Sequence, residues 1–332
     1  MKKTICLISL VALLSSCSSC NNGNNGNQGD SITVVESVAP AFDADSAYSY
    51  VAHQCAFGPR TMNSAAHDSC GNYIAREMAR HGAVVFDQYA DLQLYDGTPI
   101  RSRNIIASFD TTNACRVLVC AHWDSRPWAD HDSDKSNHHT AIDGANDGAS
   151  GVGILLEIAR QLQQTPPPVG VDLVCFDAED CGVPDWADYD GDAGDTWCLG
   201  SQFWSRRVSA SGYSARFGIL LDMVGGENTV FCKEQLSMHF APSIVDKVWS
   251  AGQRIGYAKY FNNSVGGGVT DDHVPVNRQA GIPCIDIIGT NADKMEGFPA
   301  TWHTVNDNIQ HIDRPTLKAV GQTVLEVIYS EK

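Results

Sequence analysis

Positive charge is the scarce component of this chain: 23 Lys and Arg stand against 39 Asp and Glu, a formal net charge of −16 at pH 7. A surface of that sign repels nucleic acid and anionic membrane, so neither is expected as a partner. No apolar run approaches the ~20 residues of a membrane-spanning helix; the stretch 5–14 is too short. Internal repeats are absent. The twelve cysteines never form the two CxxC pairs of a four-thiolate zinc site. A metal held by this chain would therefore have to be held by Asp, Glu and His.

What is present at the N-terminus reads as targeting. Lys2-Lys3 precede the apolar stretch, and Leu14-Ser15-Ser16-Cys17 resembles a bacterial lipobox. That pattern implies a signal peptide over 1–16, lipid attachment at Cys17 and export to the cell envelope or periplasm, with the membrane touched only through the lipid. An ordinary cleaved signal peptide is the alternative. Cleavage would remove two lysines and no acid, taking the charge to −18. An Asn- and Gly-rich tether over 17–40 follows, then one domain over 41–332. Export permits disulfides, with Cys55–Cys70 and Cys181–Cys198 as the first pairs to test; free, buried thiols are the alternative.

With 43% hydrophobic residues, the chain can bury one large α/β core. Apolar periodicity predicts helices over 45–55, 64–81, 151–162 and 243–255, and a last one from the N-cap Asp313 to Tyr329. Strands are expected at 84–86, 104–107, 117–121, 171–176 and 217–221. Alternation of the two predicts a single α/β domain: a central, mostly parallel twisted sheet with helices on both faces. The Asp-rich loop 183–198 invites a calcium reading, but Leu199 stands where an EF-hand loop starting at Asp188 needs an acid.

Acidic and histidine residues recur where strand-like runs stop. His122 follows 117–121, Glu179-Asp180 follow 171–176, and Asp222 ends 217–221. Asp147 sits in a Gly-rich turn before a helix, and His303 in a late loop. Oxygen and imidazole donors at the carboxyl ends of parallel strands describe a catalytic zinc site with an open position. Asp147, Asp180 and His303 can hold one zinc, while His122 and Asp222 can hold a second or surround the first. Glu179 can then serve as acid and base.

The motifs AHWDS (121–125), DGANDGASG (143–151), FDAED (176–180), LLDMVGG (220–226), TDDHVP (270–275) and WHTVNDN (302–308) resemble, in order and spacing, zinc peptidase family M28. Within it they look most like its glutaminyl-peptide cyclotransferases, which is what the double aspartate of TDDHVP and the Trp before His303 favour. The resemblance implies one zinc per chain on Asp147, Asp180 and His303, with Glu179 as general acid/base. It implies a supporting carboxylate role for Asp222 and Asp271, and substrate positioning by Trp302 and by Trp186 on the preceding loop. Peptides or proteins with N-terminal Gln would be the partners, converted to pyroglutamate with release of ammonia by a monomeric enzyme. Two positions depart from the animal enzymes: Asp180 stands in place of Glu, and Asp286 in place of His, where a buried carboxyl needs a partner or a proton. A di-zinc aminopeptidase is the alternative, since His122 and Asp222 are both competent ligands. A binding lipoprotein without turnover would leave Glu179 without a role.

Overall fold

The structure, a computed structural model, describes residues 34–332. The signal peptide, Cys17 and most of the tether lie outside the described residues. Along the chain run α1 (Ala44–Cys55), α2 (Ala65–Arg80), β1 (Val84–Gln93), β2 (Pro99–Phe109), β3 (Arg116–His122), α3 (Ala149–Gln164), β4 (Gly170–Phe176) and α4 (Leu199–Ser211). They are followed by β5 (Gly218–Asp222), β6 (Thr229–Lys233), α5 (Gln235–Phe240), α6 (Pro242–Gly252), β7 (Phe261–Val265), a single turn α7 (His273–Pro275), β8 (Cys284–Ile288), β9 (Thr290–Asn291) and α8 (Arg314–Ser330). Caps set several starts. Asp43 accepts from the N–H groups of Asp45 and Ser46 at α1, Ser64 from His67 at α2, and Asp313 from Thr316 at α8.

The main sheet has the order β1-β2-β4-β3-β5-β8. Strands β4, β3, β5 and β8 are mutually parallel, whereas β1 and β2 are antiparallel to each other and β2 to β4. The hairpin strands are longer than the short runs expected at 84–86 and 104–107. Their polar alternation marks a sheet edge open to solvent on one side, and the turn at Asp96-Gly97 closes them, Gly97 taking φ 82°. A second, three-stranded sheet, β7-β6-β9, has no counterpart in the sequence reading.

Period-two alternation divides the core between the two faces. Val117, Val119, Ala121, Ile219 and Leu221 pack with α1, α3 and α8 residues such as Val51, Leu155 and Val324. Leu118, Cys120, Val174 and Leu220 face the other way, against Trp204 of α4, Val276 and Ile282. Helices thus cover both faces, and the carboxyl ends of four parallel strands open on one edge. The N-terminal segment joins this body before residue 41: Val38 N–H donates to Glu326 of α8, and the Pro40 carbonyl accepts from Gln322. Neither expected disulfide is present; all nine cysteines among the described residues are free, and seven of them are buried.

Candidate active site

Three strand-end segments and the loops that carry Asp147 and His303 converge. Oxygen or nitrogen atoms of Asp147, Asp180 and His303 lie within 4.8 Å of one another, and so do those of His122, Asp147 and Asp222. Asp147 belongs to both groups: one of its oxygens is 2.9 Å from His122 Nε2 and the other 3.7 Å from His303 Nε2. All five side chains are buried.

The ligand loops are held through their main chains by two aspartates to which the sequence reading gave no part. Asp124 accepts from the successive N–H groups of Glu179 and Asp180, both at 3.1 Å. Asp307 accepts from Asn146 and Asp147 in the same manner, at 2.7 and 3.1 Å. Gly148 allows the chain to pass close to His122; a Cβ there would lie 2.4 Å from the His122 carbonyl oxygen. His303, in the left-handed region with φ 53°, places Nδ1 3.1 Å from Asp130 and Nε2 3.2 Å from Asp180. Asp130 is paired in turn with Arg126, which is fully buried and also donates to the carbonyls of Asp180 and Gly182. A carboxylate behind a histidine fixes which ring nitrogen faces a metal.

Charge crowding governs the acids here. Burial, followed by the nearby Asp147 charge, pushes Asp180 up to about 6, Asp222 up to about 8 and Asp307 up to about 7. Burial raises Glu179 well above the ordinary carboxyl range, with the Asp271 charge adding to it against the pull of His122. For His303, burial acts to lower the value, but the carboxylates of Asp180 and Asp130 win and raise it to about 9. Asp286 is wholly buried, and burial followed by the Asp271 and Asp222 charges pushes it well above the ordinary carboxyl range.

The donors fit zinc. Neither carboxylate oxygen of Asp180 accepts a hydrogen bond although both are buried, and such orphaned acceptors are costly unless a cation satisfies them. Carboxylate oxygens and an imidazole nitrogen are donors that zinc accepts, and three protein ligands leave a position open. The site opens into a cavity of about 300 Å³ walled by Trp197, Val269, Ile288, Phe298 and Trp302, with Glu179 and Asp271 at its polar end. Trp302 stacks on His303 at 3.9 Å. Trp186 does not reach the cavity. It is 40% exposed and packs against Trp128, His138 and His139, while Trp197 takes the wall position assigned to it. The reason is local: Cys198 N–H bonds back to the Glu179 carbonyl and draws Trp197, not the tip of the loop, toward the site. The aspartates of that loop, Asp185 to Asp195, join no metal-competent group among the described residues.

Comparison with known proteins agrees with this geometry. The pattern of peptidase family M28 matches residues 104–328. The crystal structure of Bacteroides thetaiotaomicron glutaminyl cyclase bound to N-acetylhistamine is similar over 89% of this chain and 100% of its own, with 57% identity and a TM-score of 0.86. A structure described as a leucine aminopeptidase precursor from Bacteroides thetaiotaomicron VPI-5482 is similar over 90% of this chain and 100% of its own, with 56% identity and a TM-score of 0.85. Aminopeptidase YwaD of Bacillus subtilis is 28% identical over 74% of this chain, and the match spans only 48% of that protein's length.

Proposed function

This chain belongs to peptidase family M28, and we propose that it is a zinc-dependent glutaminyl-peptide cyclotransferase, closing the N-terminal Gln of peptides to pyroglutamate and releasing ammonia. One zinc would be held by Asp147, Asp180 and His303; when bound, it polarises the side-chain amide carbonyl of the substrate. The remaining work falls to the protein. The cavity takes a small neutral side chain between Trp302, Ile288 and Phe298, folding the substrate so that its α-amine faces its own amide carbon. Glu179 accepts the proton that the α-nitrogen loses as the new C–N bond forms. It returns that proton to the amide nitrogen as the old C–N bond breaks, so ammonia leaves and Glu179 is restored.

The observation that carries this reading is the contact between Glu179 and Asp271. Their carboxylates lie in one group of atoms within 4.8 Å, buried at the end of the cavity. Two carboxylates that close cannot both ionise cheaply, which suits a group that must both take and give a proton near neutral pH. Asp222 and Asp286 back the pair. We extend the proposal to export, lipid attachment at Cys17 and a monomeric state.

The second group, His122, Asp147 and Asp222, supports a di-zinc aminopeptidase as the alternative. Incubating the purified protein with a Gln-Xaa and a Leu-Xaa dipeptide separates them. Loss of one ammonia from the first, with the second intact and about one zinc per chain, is the expected result. Cleavage of either peptide bond, with about two zinc ions, would overturn it.

A further inference from the structure

One buried polar side chain in contact with the reacting groups has no part in that scheme. Cys198 directs its thiol at Glu179, with Sγ 3.3 Å from Oε1. Its backbone N–H donates to the Glu179 carbonyl oxygen at 3.0 Å. A single residue therefore grips Glu179 by main chain and side chain together. Among the described residues the thiol is the sole hydrogen-bond donor to the Glu179 carboxylate.

The backbone of Cys198 points the same way. It stands in the left-handed region, φ 57° and ψ 32°, immediately before α4, a conformation costly for a residue with a Cβ. Its side chain makes no capping bond to the helix that it precedes. The left-handed turn thus does nothing for α4 through the side chain; what it does is aim the thiol at the carboxylate. Burial beside that carboxylate keeps the thiol protonated, and so a donor.

We infer that Cys198 is a positioning residue that holds the Glu179 carboxylate in the orientation needed for proton transfer. With Oε1 held by the thiol, Oε2 lies 3.9 Å from His122 Nδ1. The inference rests on the reading of Glu179 as the acid/base.

The test uses the full chain loaded with zinc, a Gln-peptide substrate, and the variants C198S, C198A and C198G. Serine keeps a donor; alanine removes it; glycine removes it and also relieves the left-handed strain. Losing one orienting hydrogen bond should lower kcat about tenfold in C198A and C198G, with KM and zinc content unchanged. C198S should return to within about threefold of the wild type. C198G should melt no lower than C198A. In a Glu179→Gln background, C198A should add no further loss to the residual rate. Full kcat in C198A and C198G would overturn the inference, as would a loss that follows zinc content or that adds to Glu179→Gln. Absence of ammonia release by the wild type would instead overturn the reading of the site on which the inference stands.

Discussion

Replacing Asp130 by Asn keeps the side-chain volume and removes one charge from a buried line of three groups. On one side stands Arg126, bonded to Asp130 through Nε at 3.2 Å and through its second terminal nitrogen; on the other is His303 Nδ1 at 3.1 Å. Two costs follow. Weakening the partner behind a metal-binding histidine lowers metal affinity by about 10- to 100-fold, or about 1.4 to 2.7 kcal/mol. Leaving the Arg126 charge buried with carbonyl partners and only the more distant Asp180 carboxylate, at 3.8 Å, costs up to about 3 to 5 kcal/mol of fold stability. The two separate experimentally. Unfolding of the zinc-free protein reports the Arg126 cost, while the extra stability at a fixed excess of free zinc reports affinity and should shrink by about 1.4 to 2.7 kcal/mol. Thermal unfolding in zinc-chelator buffers, paired with competition against a fluorescent chelator, measures both. An unchanged zinc-dependent increment above a lowered zinc-free baseline would refute the argument. It would mean that the left-handed backbone of His303 aims the ring unaided.

Three further outcomes are expected. Glu179→Gln should lower kcat by about 10²- to 10⁴-fold while zinc content stays at the wild-type level, measured by ammonia release and metal analysis. Asp307 binds its proton far more tightly in the folded chain, near 7, than its ordinary value of 3.8. Between those values the folded state carries the extra proton, so zinc-free stability should fall as pH rises from about 4 to 7. Chemical denaturation across that window should show the fall in the wild type and a smaller one in Asp307→Asn. Finally, a Cβ at Gly148 would meet the His122 ring at 2.6 Å as well as its carbonyl. Gly148→Ala should cost about 1 to 3 kcal/mol or more and displace His122, seen as a lowered melting temperature together with lost turnover.

Most of this architecture was legible because it is written in period and punctuation. The helices at 44–55 and 314–330 begin within a residue or two of their expected starts, the first announced by its apolar periodicity and the second by Asp313 as a cap. His122, Asp180 and Asp222 converge because parallel strands place their carboxyl ends on one edge, where the loops that carry Asp147 and His303 meet them. Other features had no local signature. Strands β6, β7 and β9 are short and mixed in character, and only their pairing with one another makes them strands. Trp186 and Trp197 share one Asp-rich loop, and nothing in its composition says which tryptophan turns inward. Asp124 and Asp307 lay inside recognised motifs, but their function is to accept main-chain hydrogen bonds from segments far along the chain, which spacing does not disclose. Arg126 and Asp130 fell between motifs; a charged pair that near to a strand end was the available clue.

The clasps formed by Asp124 and Asp307 have a consequence for how such a site can change. Each seizes the backbone of a ligand loop, not the ligand side chain, so the frame is assembled before any particular donor is specified. Ligands on that frame are interchangeable parts. Asp124 holds the Asp180 amide, so a longer Glu at position 180 would differ chiefly in the reach of its side chain. Substitutions at position 180 would therefore change the reach of the donor while its mounting stays in place. Substitution of either clasp would instead unfasten two consecutive amides together and dismantle the mounting itself.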